Sequence, residues 1–534
     1  MPQRLVLALL AGVLLAMAYE PFAVPVLVPV LVPLAVAAHT LLTRGLGLRR
    51  AFAVGLAFGV GFYYVHIYWM TTVALAAWLG LSAVQALFYG LLGSAVALLT
   101  RLPAWPLWVG TAWVSMEVWR SGWPFSGMPW GRLGFAVVDT PVAATLPYVG
   151  MAGVTFLLAL AGAALAAVLV SPGRTRLVAL GTLVAVAAAV GAAVALPWSS
   201  PATGSVTVAV VQGDVPGPGN DILYDFRQVT ENHVQATVDL ADDVAAGRAP
   251  APDFVVWPEN STATDPFRDA GTNAGILRAT EAIGVPVLVG ALVDGPPGAV
   301  LNQGIVWDPV TGAGERYTKR HPVAYGEFIP FRDTPLELAF GDLARIQRDM
   351  LVGTGGEPLS IAGTEVAGAI CFDVAYEDAI YDQVGRGAEL LTVQTSNATF
   401  IFSDQVFQQF AMTRLRALET GRATVVASTN GVTGVIDADG EVVATAGIQE
   451  TEVLVEELAL HEALTPAVRM GRLPWQVAVG LTLLALAASL LPYSRARRTR
   501  RRLRRSAVGG GRPSHDGGAT PPPRRGADAM ADQP

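Results

Sequence analysis

From Leu5 to Leu196 the chain is a succession of long apolar runs with short polar breaks, each near the ~20 residues a bilayer-spanning helix needs. With 52% hydrophobic and 15% charged residues over 534 positions, the chain is far more apolar than a typical soluble protein. Seven spans are predicted, at about 5–19, 23–42, 51–70, 82–100, 105–119, 143–170 and 177–196, and an eighth runs from Trp475 to Tyr493. The first has Arg4 and a short apolar core, as a signal peptide does. It lacks a clear small-residue cleavage site and six more spans follow, so it reads as a retained helix.

Basic residues cluster at Arg44, Arg49 and Arg50, at Arg101, at Arg174 and Arg176, and from Arg495 to Arg505. With the N-terminus inside, all four clusters fall on the cytoplasmic side, as the positive-inside tendency requires. Seven spans then deliver the chain to the outer face near Pro197, and the last brings it back. The formal net charge of -7 hides an asymmetry, with most acids between Asp214 and Glu462 and an Arg-rich tail. An Arg run directly after an apolar span is a membrane anchor, so no nucleic-acid partner is expected.

Between the seventh and eighth spans the composition is that of a globular α/β domain. β-rich segments recur at Val206–Gln212, Phe254–Trp257, Val285–Ala291, Val366–Phe372, Leu390–Gln394 and Thr424–Ser428, with amphipathic stretches at Ile222–Ala246 and Ser403–Thr420. Asp439-Gly440 between two β-rich runs predicts a hairpin. The expected organisation is a seven-helix transmembrane domain over 1–198, an α/β domain over 199–465, the last transmembrane helix over 473–493 and a basic, disordered cytoplasmic tail over 494–534.

A single cysteine, Cys371, excludes an intrachain disulfide and a cysteine-rich metal site. The six histidines, His233 and His321 among them, lack metal-ligand spacing, so neither metal nor cofactor is expected. Three segments share one arrangement, an apolar run leading to a reactive polar group: Phe254 to Glu259, Tyr317 to Lys319 with Tyr325-Gly-Glu327 close behind, and Gly368 to Asp373. Strand ends and the loops after them are where α/β folds place their sites. Taken singly, Glu259 also reads as a cap, Lys319 as a solvated charge and Cys371 as a small buried hydrophobe.

The order Glu, Lys, Cys, with Gly-Glu-Phe-Ile-Pro-Phe after the lysine, resembles the nitrilase superfamily. That resemblance implies an αββα sandwich with Glu259, Lys319 and Cys371 as its triad. In such a site the carboxylate takes the proton of a thiol that is largely un-ionised at neutral pH, and the ammonium stabilises the oxyanion of the tetrahedral intermediate. Soluble nitrilases have no such spans. The spans, together with the segment Trp113–Phe135 that carries Glu117, Arg120 and Ser126-Gly-Met-Pro-Trp130, resemble the apolipoprotein N-acyltransferases, whose nitrilase-like domain precedes the last of eight helices.

This family resemblance implies a multi-pass helical membrane domain joined to the sandwich, in a bacterial cytoplasmic (inner) membrane, with the catalytic domain on the extracytoplasmic face. It implies a membrane phospholipid as acyl donor, a thioester on Cys371, and the N-terminal diacylglyceryl-cysteine of an apolipoprotein as acceptor, with the chain working as a monomer. It assigns Glu327 to positioning Lys319 or stabilising the intermediate. Asn302, Tyr325, Phe372 and Asp373 are expected to support the site or bind substrate. Phe372 and Asp373 stand where many members have Tyr and Glu, and Ser396 to Phe400 stands where they have Asn-Asp-Ala-Trp. For Glu117 and Arg120, one helical turn apart, a mutual ion pair and a lipid-headgroup contact are both open. A membrane-tethered hydrolase with water as acceptor, and a transporter or scaffold with an inactive domain, are the alternatives.

Overall fold

The seven apolar runs before Pro197 correspond to α1 (Pro2–Ala16), α2 (Val28–Thr43), α3 (Leu48–His66), α4 (Leu75–Leu99), α5 (Trp105–Gly122), α6 (Leu146–Val170) and α7 (Gly173–Ala195). This computed structural model describes residues 1–334 and 346–508, with side chains to 491. Among the described residues four helices are long and apolar enough to cross a membrane, α4, α6 with the turn before it, α7, and Leu473–Leu491 near the C-terminus; α1 and α2 are apolar but shorter. Leu177, Val178, Leu180 and Val184 on α7 stay exposed, a surface that water disfavours and lipid accepts. Close approach explains the glycines between α3 and α4: a Cβ on Gly55 would strike the Tyr89 carbonyl.

The globular part supplies β1 (Gly204–Gln212), α8 (Phe226–Ala245), β2 (Phe254–Val256), α9 (Ala270–Ile283), β3 (Val287–Asp294), β4 (Ala299–Asp308), β5 (Gly312–Thr318) and β6 (Asp349–Met350). There follow β7 (Leu359–Ile361), β8 (Thr364–Ile370), α10 (Glu377–Val384), β9 (Leu390–Thr395), α11 (Gln405–Thr420), β10 (Thr424–Ser428), β11 (Gly434–Ile436), β12 (Val442–Thr445), β13 (Glu452–Leu460), α12 (Pro466–Met470) and α13 (Leu473–Val508). Side-chain caps set helix starts, Asp225 on Gln228 N for α8 and Asp269 on Thr272 N for α9. Gly421 in the left-handed region closes α11.

One sheet runs β13-β1-β2-β3-β4-β5 with β6 beside β4, the other β12-β11-β10-β9-β8-β7. Strand alternation builds the layers. Val206, Val208 and Val210 of β1 face Ile370, Val425 and Ala427 of the opposite sheet, whereas Ala209 and Val211 pack with Val234, Leu240 and Ile276 of α8 and α9. On the other side Ile380, Val384 and Ala417 of α10 and α11 cover Leu391 and Val393. The result is the α-sheet-sheet-α sandwich, with the Asp439-Gly440 hairpin between β11 and β12.

The sandwich and helices share one core, in which Phe372, Tyr376, Met412 and Leu415 pack with membrane-domain residues such as Trp130 and Phe135. Gly150 breaks α6 with φ 65°, and Glu419 of α11 accepts the Met151 N–H there at 2.7 Å. The chain divides into two units, Met1–Leu486 and Ala487–Pro534. Within the second, helix continues to Val508, where the start of a disordered tail is expected from composition. Arg and Ala are good helix formers, and their propensity extends a helix already nucleated by an apolar span. The remainder of that tail lies outside the described residues.

Candidate active site

The three reactive segments meet because each ends a strand at the same edge of the sandwich. Glu259 follows β2 after Trp257-Pro258, Lys319 directly follows β5, and Cys371 directly follows β8 of the other sheet. Glycine makes two of these approaches possible. A Cβ on Gly290 would collide with the Pro258 carbonyl, and one on Gly353 with the Thr318 carbonyl. Cys371 itself has φ 50°, a conformation uncommon for a side-chain-bearing residue and stored where surrounding structure enforces it.

Lys319 is 1% exposed and lies between two carboxylates, with Nζ 3.0 Å from Glu259 Oε1 and 2.6 Å from Glu327 Oε1. Each acid is held in turn. Glu259 Oε1 also accepts from Asn302 Nδ2 at 2.7 Å and its Oε2 from Ser396 N at 2.9 Å. Glu327 Oε2 accepts from Val323 N at 2.7 Å, which folds its loop back over the lysine. Asn302 also accepts the Lys319 N–H through its carbonyl at 2.9 Å, while its buried Oδ1 has no protein partner.

These charges set the protonation of the site. Burial disfavours the ammonium, but Glu259 and Glu327 outweigh it and hold Lys319 well above the ordinary lysine range. Burial raises Glu327, against the pull of Lys319. The Cys371 thiol, on a partly exposed residue, is pushed up to about 12 by desolvation and then by Glu259, against the pull of Lys319. A thiol there is un-ionised at neutral pH, so any reaction through its sulfur would need a base to take the proton.

Asp373 is fully buried and faces the backbone. Its carboxylate accepts from Tyr317 Oη at 2.8 Å, His321 N at 2.8 Å, Ile370 N at 3.1 Å and Arg320 N at 3.3 Å, tying the lysine segment to the strand that carries Cys371. Asp373→Asn turns an amide N–H₂ toward donors and is expected to cost about 1–3 kcal/mol of stability. A thermal unfolding midpoint unchanged from the parent would refute that role.

Phe372 stacks on Trp130 of the membrane domain at 5.8 Å and 19°. Tyr325, at φ 60°, is not among the partners of the Glu259-Lys319-Glu327 cluster; its ring meets Phe125 edge-on at 5.9 Å, and Phe125 also meets Phe331 at 5.4 Å. Phe400 packs edge-on to Trp69 at 5.3 Å.

Glu117 and Arg120 lie close enough for their charges to interact, but each makes its hydrogen bonds elsewhere. Glu117 accepts from Leu133 N and Thr155 Oγ1, both at 2.8 Å, and lies 3.8 Å from Arg132 Nε. Arg120 donates to the Met128 and Trp130 carbonyls at 2.7 and 2.8 Å. Both side chains are buried; Arg120 braces the Ser126–Trp130 loop through its bare carbonyls, and Glu117 ties the segment after that loop to α6. Sequence reasoning also missed Ser396, which acts through its backbone, and Gln408, which accepts from the indoles of Trp69 and Trp130 at 3.0 and 2.8 Å. The run Gln405, Gln408, Gln409 on the buried face of a helix is the signal that would have found the latter. Among the described residues no cluster of His, Cys, Asp and Glu is arranged to hold a metal.

Residues 11–164 match the family described as apolipoprotein N-acyltransferase N-terminal domain, and residues 207–464 match carbon-nitrogen hydrolase. The apolipoprotein N-acyltransferase of Mycolicibacterium smegmatis is 36% identical over 82% of this chain and 77% of its own length. That of Methylococcus capsulatus is 31% identical over 90% and 94%, and that of Azotobacter vinelandii 31% over 94% and 96%. With both halves matched, and relatives aligned over most of their length, this chain belongs to the apolipoprotein N-acyltransferase family.

Proposed function

We propose that this enzyme moves a fatty acyl group from a membrane phospholipid to the α-amino group of an N-terminal diacylglyceryl-cysteine, through a thioester on Cys371. In the first half-reaction the sulfur attacks the ester carbonyl while its proton passes to Glu259. Lys319 stabilises the oxyanion, more strongly in the transition state than in the ground state. Collapse breaks the ester C–O bond, Glu259 returns the proton to the departing alkoxide, and a lysophospholipid leaves. In the second, the amine attacks the thioester, Glu259 takes its proton, and the C–S bond breaks to give the amide and regenerate the thiol. Glu327 holds Lys319 in place, and Asn302 orients Glu259.

The observation that carries this is the lone thiol beside a buried ammonium shared by two carboxylates, in a core continuous with the membrane helices. Both substrates are amphiphiles, and a site built against helices meets them without extracting them. The basic clusters support a bacterial cytoplasmic membrane location with the sandwich on the extracytoplasmic side. One chain supplies every proposed catalytic group, in keeping with a monomer.

The test is mass spectrometry of the purified protein after incubation with phospholipid alone. A gain of one acyl group on Cys371, discharged by a diacylglyceryl peptide to an N-acylated product, is expected. Free fatty acid released without the peptide would identify water as the acceptor, and absence of any adduct would exclude the covalent route.

A further inference from the structure

Gln408 lies on α11 of the sandwich, 6% exposed, yet its side-chain partners all belong to the membrane domain. Oε1 accepts from Trp69 Nε1 at 3.0 Å and Trp130 Nε1 at 2.8 Å. Nε2 donates to the Glu20 carbonyl at 2.8 Å and the His66 carbonyl at 3.2 Å. The amide is thus fully used, two bonds in and two out, and its orientation is fixed by the neighbours. Only a neutral group that accepts on one side and donates on the other fits this place.

What the amide holds matters more than the bonds themselves. Trp130 is gripped at its carbonyl by Arg120 at 2.8 Å and Tyr63 Oη at 3.0 Å, at its indole N–H by Gln408, and on its ring face by Phe372. Phe372 follows Cys371 directly. Trp69 meets Trp130 at 5.8 Å and Phe400 at 5.3 Å, so the same joint reaches the loop after β9, whose Ser396 N–H binds Glu259. Two elements of the site therefore bear on indoles whose common partner is one glutamine.

We infer that Gln408 is a positioning residue for acyl loading: by joining Trp69 and Trp130 to α11 it sets the Cys371 loop against the membrane helices, where a bilayer ester can reach the sulfur. This rests on Cys371 being the nucleophile. A misplacement of about 1 Å is enough to cost a reaction up to a hundredfold when the partner is held elsewhere, whereas a small diffusing reagent adjusts to it.

Gln408→Leu is the first test, with two readouts on the full-length protein: thioester formation from phosphatidylethanolamine–phosphatidylglycerol vesicles, and alkylation of Cys371 by iodoacetamide. Loading is expected to slow by about tenfold or more while alkylation stays within about twofold. Loading at the parental rate would overturn the inference, and so would an equal fall in both rates, which would place the defect in the thiol itself. No loading by the parent protein would instead defeat the nucleophile assignment. Gln408→Glu supplies a second test if the leucine variant fails to fold. A neutral acid keeps one of the amide's two donations, whereas a carboxylate would keep neither and would face the Glu20 and His66 carbonyls. Its loading relative to the parent at each pH is expected to fall as pH rises between about 5 and 9. A ratio independent of pH, with loading otherwise as in the parent, would overturn the inference.

Discussion

Glu259→Gln is expected to slow acyl loading from phospholipid by about a thousandfold while making Cys371 easier, not harder, to ionise. The opposite signs follow from the two effects of one carboxylate. In the proposed mechanism Glu259 accepts the thiol proton, and its loss would remove a general base worth about 10²–10⁴ in rate. As a negative charge near the sulfur it adds to burial, and together the two push the thiol up to about 12. The glutamine removes that charge and leaves Lys319, which pulls the thiol down, with Glu327 as its remaining acidic partner. The pH profile of iodoacetamide alkylation should therefore move to lower pH in the variant. A profile moved to higher pH, or loading at the parental rate, would show that Glu259 does not face the sulfur as a base.

Much of this architecture is readable from the chain because its signals are local. Apolar runs of bilayer length are visible in any window, and the β-rich segments carry alternation that one buried face requires. The order of Glu259, Lys319 and Cys371 is a family pattern, so the cluster was expected before its geometry was known. What was not legible depends on partners far apart in sequence. Helical spacing suggested that Glu117 and Arg120 pair with each other; their charges do interact, yet their hydrogen-bond partners come from Met128–Leu133 and Thr155, on a loop and another helix. Asp373 reads from the sequence as a supporting carboxylate one methylene short, and only the fold shows that it turns toward three backbone N–H groups and Tyr317. Composition marked the Arg-rich segment as tail, although its residue types are also good helix formers.

Lys319→Met carries the largest combined effect on catalysis and stability. Loss of a fixed oxyanion donor is expected to lower loading by about 10²–10³-fold. Stability falls as well, since removing one partner of a buried ion pair leaves an uncompensated charge at a cost of about 3–5 kcal/mol. Here the ammonium serves two acids, and without it Glu259 retains the Asn302 amide and the Ser396 N–H, while Glu327 retains Val323 N. In the parent, Lys319 is raised well above its usual range, so its contribution is complete at neutral pH and is lost only above about 10.4, as pH climbs through the higher folded value. In the variant the contribution of Glu327 to the pH dependence grows. Glu327, raised by burial even beside the lysine, rises further once the cation is gone, and the folded state binds protons that the unfolded chain has released. Stability of Lys319→Met should therefore increase as pH is lowered from about 8 toward 5 by more than in the parent, where Glu327 is raised less, in thermal melts of the two proteins side by side. Parallel pH profiles would mean that the lysine does not pull down the raised Glu327, and the electrostatic account of the site would fail with it.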